Sequence, residues 1–373
     1  MHTADVVIVG AGFAGAATAY QLTRRGVRDV LVLEREAVAG VHASGRNAAL
    51  AFQVLSDAAE ARLAVEGAQF IADPPRGFTS VPLLRRTGSL LLAETGGVAR
   101  LRQAQRAAAG LGLDCQMIAV DDAVRRVPAL ARAPFSAAFW NPHDGVVDIH
   151  ELLQSYLRAA RRAGARIEYR CGVEAVHLHG GRVSAVETAR GTVETRCVVN
   201  AAGAWAGVVS GLAGIGTRTV APRRRHLFQT VADIPVERAW PFVWHNDRDV
   251  YFRPEGDGLL MSPCDATPHP PREPVADAGA AQLLADKIAY AFPALAATRI
   301  ASSWCCLRTF VRDERFVIGR DPEVDGLVWV AALGGHGMTT SAAVGRLGAS
   351  AVLGEFTAEL EGFSPARLVE AHG

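Results

Sequence analysis

The sequence predicts an α/β protein: a Rossmann-like dinucleotide-binding domain, discontinuous along the chain, with an inserted α+β domain built on an antiparallel sheet. Three observations carry this. Residues 5–36, DVVIVGAGFAGAATAYQLTRRGVRDVLVLERE, place a β-branched run, Val6–Val9, before glycines at positions 10, 12 and 15. A small-residue helical stretch follows, then a second apolar run, Val30–Leu33, that ends on Glu34. Strand, glycine turn and helix succeed one another again at residues 196–205 and 327–353. Between these, residues 220–303 contain alternating segments split by Pro, Gly and Asp turns, the texture of antiparallel strands.

The first unit can be read residue by residue. Gly10 permits the tight turn, Gly12 lets the backbone approach a pyrophosphate, and Gly15 lets helix and strand pack closely. The helix start offers unpaired N–H groups to an anion. Glu34, about twenty residues after the glycines, is where an acid accepts hydrogen bonds from an adenosine ribose.

At 373 residues the chain exceeds the size at which one core stops growing. Its textures divide it into a cofactor domain of residues 1–60, 145–219 and 304–373 and a substrate domain of residues 61–144 and 220–303. Lys and Arg number 39 against 38 Asp and Glu, so the net charge of +1 makes no case for nucleic acid. Six cysteines without a C-x-x-C pair argue against a disulfide framework or structural zinc and for a reduced cytoplasmic setting. His177 and His179 lie two apart on an expected strand, but no further ligand follows at metal spacing, so they read as surface residues. The apolar N-terminus lacks a basic leader and carries Asp5, which argues against a signal peptide. No segment offers the about 18 uninterrupted apolar residues of a membrane span.

Further helices are expected at residues 58–71, 98–111, 120–130, 149–163, 280–292 and 339–353, and strands at 83–93, 166–169, 182–187, 223–230, 250–253 and 259–262. Asp148 caps the helix at 149–163, with Glu151 as its capping-box partner, and Gly164 ends it. The loop after Glu36 is well supplied with donors in Ser44, Arg46 and Asn47.

Glu34-Arg35-Glu36, His42-Ala-Ser-Gly-Arg-Asn-Ala-Ala49, Asn200-Ala-Ala-Gly-Ala-Trp205 and Gly334-Gly335-His336-Gly337 follow the glycine motif in order. In that order they resemble the D-amino-acid oxidase and glycine/sarcosine oxidase superfamily of FAD enzymes, over essentially the whole chain. The pattern looks closest to the bacterial FAD-dependent D-arginine dehydrogenase type, also through Pro74-Pro75-Arg76-Gly77-Phe78, Gly211-Leu-Ala-Gly214 and Tyr251-Phe-Arg-Pro254.

The resemblance implies that Gly10, Gly12 and Gly15 hold the FAD pyrophosphate, Glu34 the ribose, and that Arg35 and Val173 meet the adenine. Ser44, Arg46, Asn47 and Ala48 would approach the diphosphate, ribityl chain and ring, and Gly203 the ribityl side. Gly335, His336, Gly337, Met338 and Thr339 would sit at the flavin's pyrimidine edge, with His336 carried among the catalytic candidates. A glycine turn opening a helix suits that place, because it aims N–H groups at a carbonyl that gains negative charge.

For the substrate, Tyr251 and Arg308 match the family's α-carboxylate clamp, and Arg224 a further active-site arginine. Leu50 and Leu55 stand where the D-arginine dehydrogenase pattern has a histidine and a tyrosine, and Ser89 where it has the glutamate that meets a guanidinium. Without that acid a cationic side chain lacks its partner. The expected reaction is therefore oxidative deamination of a D-amino acid with a neutral, apolar or cyclic side chain such as proline, by hydride transfer from Cα to flavin N5. Oxidation of glycine or N-methyl amino acids is the alternative, and a non-catalytic flavin-binding subunit of a hetero-oligomer is the alternative of another class. Non-covalent FAD is expected; the resemblance also offers Cys306, and less strongly His42, as points of covalent attachment. The partners expected are an amino acid substrate and an electron acceptor that is oxygen, a quinone or another carrier. Peripheral attachment at the inner face of a membrane stays open.

Overall fold

The computed structural model describes residues 2–215 and 220–369. Its first sheet runs in the order Arg166–Glu168, Val30–Leu33, Val6–Val9, Val198–Asn200 and Leu327–Ala331, all parallel, with Val317–Arg320 antiparallel at the edge. The strands Val6–Val9, Val30–Leu33 and Leu327–Ala331 are apolar at every position because both faces are covered, and Val198–Asn200 ends on the buried Asn200. Val6, Ile8, Val30 and Val32 share a core with helices Phe13–Arg24, Ile149–Arg162 and Ser341–Leu353. Val7, Val9, Leu31 and Leu33 face a four-stranded layer, His2–Thr3, Gly191–Glu194, Arg182–Thr188 and Val173–His179, and the helix Ala206–Leu212.

The second domain is built on a sheet of nine described strands. Thr267–Pro268, Ala221–Val231, Gly258–Ser262, Val250–Glu255, Phe242–His245, Ser89–Ala93, Ala137–Asn141 and Gln116–Ile118 lie side by side, and Arg299–Phe310 also pairs with Ala221–Val231. Only the pair of Phe242–His245 with Ser89–Ala93 is parallel among these described strands. One face packs Leu90, Leu92 and Phe252 against helix Ala278–Ala291. The other carries Leu91, Leu227, Phe242 and Tyr251 toward Ala48, Leu50 and Phe52 of the cofactor domain. That second face bounds the site.

Several elements differ from expectation. Residues 83–93 split at Thr87-Gly88 into Leu84–Arg86, which pairs with Gly145–Val147, and Ser89–Ala93 in the large sheet. Residues 120–130 form a helix, Val120–Arg126, and a separate 3-10 turn, Pro128–Leu130, because Pro128 has no N–H to continue it. Asp148 accepts from the Glu151 N–H at 2.9 Å, but the Glu151 carboxylate turns to Thr79, Ser155 and Arg158, so half of the capping box forms. The boundaries set at 61 and 304 fall inside the helix Ala58–Ala72 and the strand Arg299–Phe310. Leu63 and Ile71 of that helix belong to the core of the first sheet, a packing choice that composition does not register.

Candidate active site

One elongated cavity runs from the Gly10 turn, between the two domains, to Tyr251 and Arg308. At its first end Glu34 closes the strand Val30–Leu33. Its Oε2 accepts from the Ala11 N–H at 2.9 Å and its Oε1 from the Glu36 N–H at 3.0 Å, leaving lone pairs on both oxygens for ribose hydroxyls. The Arg35 guanidinium lies 3.6 Å from the centroid of the Trp205 ring, and His42 packs on the same ring at 4.6 Å. Val173 and Gly203 line this part of the wall.

The next stretch is the start of helix Phe13–Arg24. Ser44 Oγ accepts from the Phe13 N–H at 3.0 Å, pinning the loop against the glycine turn. Asn47 holds the loop's shape, donating to the Ser44 carbonyl at 2.8 Å and accepting from the Ala49 N–H at 2.8 Å. Arg46 and His42 both meet Glu273, which reaches over from the second domain. The Ala48 carbonyl accepts from the buried Arg253 at 2.7 Å. Thr339 Oγ1 donates to the Leu50 carbonyl at 3.0 Å, which fixes Leu50 on the wall beside the glycine turn of residues 334–338.

At the far end Phe52, Phe242, Trp244 and Tyr251 form an aromatic wall. Ring centroids lie 6.1 Å apart for Phe52 and Phe242, 5.8 Å for Phe52 and Trp244, and 5.3 Å for Phe242 and Tyr251. Arg225, Cys306, Arg308 and His336 complete this end. Burial and the neighbouring Arg225 hold the Arg308 guanidinium below its usual range, with Tyr251 acting in the opposite sense. His336 is pushed down to about 3 by burial and by the two arginines, so its imidazole is neutral. Burial raises the Tyr251 phenol to about 12, which keeps it a hydrogen-bond donor. Burial also raises the Cys306 thiol.

Four expected site residues lie outside the cavity lining. Gly15 sits behind the turn, where a Cβ would meet the Gly10 carbonyl at 1.9 Å. Arg224 points to the opposite face of its strand and pairs with Asp277, because side chains alternate along Ala221–Val231 and Arg225 takes the cavity side. Leu55 packs against Ala61 and Ala64 of the next helix. Ser89 is fully buried and donates to Asp144 at 2.7 Å, one layer behind the wall. Phe52, Phe242 and Arg225 were not anticipated; strand alternation from Leu50 and from Arg308 is the signal that reaches Phe52 and Arg225.

Among the described residues no group of three or more His, Cys, Asp or Glu is placed to hold a metal, and no helix is long and apolar enough to cross a membrane. His177 is exposed and meets Glu187 at 2.9 Å. The donor set fits an adenine dinucleotide instead. A Cβ added at Gly12 would meet Ser44 Oγ at 2.9 Å, so glycine is what leaves room beside this helix start, whose positive end favours an anion.

The comparisons with known proteins agree with this geometry. Mouse mitochondrial sarcosine dehydrogenase is 25% identical over 370 residues, which cover 92% of this chain and 39% of that protein. The chain thus spans about two fifths of that relative's length. Glycine oxidase from Geobacillus kaustophilus superposes with a TM-score of 0.85 at 26% identity, covering 100% of both chains. L-proline dehydrogenase from P. horikoshii superposes with a TM-score of 0.88 at 23% identity, covering 98% of each, which establishes the fold. The DAO family model, FAD dependent oxidoreductase, matches residues 5–351, and the chain belongs to that family.

Proposed function

We propose that the protein oxidises a small α-amino acid whose nitrogen is secondary or tertiary, an N-methylated or cyclic amino acid, at a carbon bonded to that nitrogen. The observation that carries this reading is the far end of the cavity: Arg308 and the Tyr251 phenol for a carboxylate, a second arginine and aromatic rings beside them, and no acid. Among the described lining residues Glu34 is the only carboxylate, and it stands at the adenine end. A basic side chain would therefore lie unpaired, whereas the apolar alkyl groups on a secondary or tertiary nitrogen are suited to ring faces. The likeness to a sarcosine dehydrogenase, which is named for an N-methyl amino acid, points the same way. A primary D-amino acid with an apolar side chain is the second reading, favoured by Leu50 on the wall.

FAD supplies the acceptor for the hydride, and Gly10, Gly12, Glu34, Ser44, Arg46 and the turn at residues 335–339 would hold it. Arg308 grips the α-carboxylate through its planar fork, and the protonated Tyr251 donates to the same group. This fixes which C–H faces the acceptor. The aromatic walls exclude water, and the two buried arginines disfavour a charged ammonium, so the amine leaves its proton to bulk water on entry and is neutral when the hydride leaves. The imine product then takes up water and splits.

An anaerobic bleaching screen of the flavoprotein tests this. Sarcosine, dimethylglycine and both prolines are expected to bleach the flavin faster than glycine or either alanine. Bleaching by primary D-amino acids alone moves the assignment to the second reading, and no bleaching by any amine returns it to a non-catalytic flavin-binding subunit. Peroxide formation against dye reduction then identifies the acceptor class.

A further inference from the structure

Strands Ala221–Val231 and Arg299–Phe310 run antiparallel, with Arg225 opposite Cys306 and Arg223 opposite Arg308. Arg225 and Arg308 are thus diagonal neighbours on one face, about 7–8 Å apart at Cα. Both line the cavity. Their surroundings differ from those of the arginines beside them: Arg223 pairs with Glu314 and Arg224 with Asp277. Among the described residues the Arg308 side chain makes no hydrogen bond or ion pair, and that of Arg225 spends one N–H, Nε, on the Asp265 carbonyl at 2.6 Å. The Asp265 carboxylate is turned away, held by the His226 ring at 2.7 Å and the His226 N–H at 2.8 Å.

Two guanidiniums enclosed side by side repel each other and leave donors unsatisfied unless anions enter. One α-carboxylate carries one charge and is matched by one bidentate fork. It answers Arg308 and leaves Arg225 with the Asp265 carbonyl as its one hydrogen-bond acceptor. The aromatic wall offers no anion, and Glu34, the one carboxylate among the described lining residues, is at the opposite end of the cavity.

We propose that the substrate carries a second carboxylate, bound by Arg225, so that the preferred substrates are dicarboxylic amines such as N-carboxymethyl amino acids or N-methyl-aspartate. This rests on the amine-oxidation reading above and names its substrate class. The α-carboxylate lies on Arg308 and Tyr251, the second on Arg225, and the nitrogen between them faces the rings.

The test uses the holoprotein and anions that cannot be oxidised. Flavin difference spectra give Kd values for malonate and succinate against acetate and propionate. The dianions are expected to bind more tightly by about tenfold or more. Arg225→Met is expected to collapse that ratio to near unity, and Arg225→Lys, which keeps the charge and a donor for Asp265, to preserve part of it. Arg224→Lys, on the other face, leaves the ratio as in the wild type. In turnover, iminodiacetate should exceed sarcosine in kcat/KM, and Arg225→Met should reverse the order. Equal affinity for malonate and acetate, or equal weakening of both by Arg225→Met, overturns the proposal and assigns both arginines to one carboxylate. If sarcosine bleaches the flavin while malonate shows no advantage, this inference falls and the amine-oxidase reading stands. If the dianion preference is present and lost in Arg225→Met while no amine bleaches the flavin, the reaction is wrong and the second anion site stands.

Discussion

The guanidinium of Arg308 lies on the backbone of Gly335: a Cβ placed on that glycine would meet Nε at 2.3 Å and Cζ at 2.5 Å. The strand that delivers Arg308 is tied to the same turn, the Gly334 N–H donating to the Thr309 carbonyl at 3.0 Å. The turn assigned to the cofactor and the clamp assigned to the substrate are therefore one packed unit. In such a unit the carboxylate position is fixed relative to the ring that receives the hydride.

Gly335→Ala should uncouple the two. Its φ of +97° is strained for alanine by about 1–3 kcal/mol, and the added methyl displaces Arg308. We expect kcat/KM to fall by about 10² or more with flavin still bound, and carboxylate inhibitors to bind weakly. A variant that keeps its inhibitor affinity while losing flavin would show that the turn serves the cofactor alone.

The second and third glycines of the opening motif should fail in different ways. Gly15→Ala drives a Cβ to 1.9 Å from the Gly10 carbonyl, a backbone atom that cannot yield, so soluble protein should be lost. Gly12→Ala meets Ser44 Oγ at 2.9 Å, a side-chain end that can rotate, so the protein should fold with a reduced flavin-to-protein ratio. Expression yield and flavin absorbance separate the two outcomes. Normal flavin content in Gly12→Ala would remove that glycine from the pyrophosphate site.

Attachment through Cys306 requires a thiolate, and burial holds this thiol protonated. Acid precipitation should therefore release all the flavin into the supernatant, and Cys306→Ser should keep its colour. Flavin that stays with the pellet in wild type and not in Cys306→Ser would establish the bond.

What the sequence made legible was backbone chemistry. Gly10, Gly12 and Glu34 are read from spacing because their duties are local to one strand, turn and helix. The far end of the cavity was half legible. Arg308 is the single arginine between Trp304 and Phe310, whereas residues 223–225 are three arginines in a row, so residue type alone does not tell Arg225, which lines the cavity, from Arg224, which does not. Leu55 and Ser89 were misplaced for a related reason. Within residues 50–55 the chain changes face: Leu50 and Phe52 line the cavity while Gln53 turns inward to Asp144 at 3.1 Å, and no local pattern marks that change.

That inward layer yields the last prediction. Asp144 is 2% exposed and accepts from Ser89 Oγ at 2.7 Å and from Gln53 Nε2 at 3.1 Å, joining the Leu50–Phe52 wall to the strand Ser89–Ala93. Burial raises its carboxyl to about 7 and outweighs these hydrogen bonds. The folded state therefore holds a proton that the unfolded chain releases near pH 4, so stability from this group falls as pH rises from about 4 to about 7 and the penalty is complete above that. Asp144→Asn removes the titration and can keep an acceptor for Gln53. Relative to wild type, its unfolding free energy in urea should rise by a few kcal/mol between about pH 5 and about pH 8. A wild-type-to-variant difference that is the same at both values would mean that Asp144 is ionised throughout and that the layer behind the aromatic wall carries a charge.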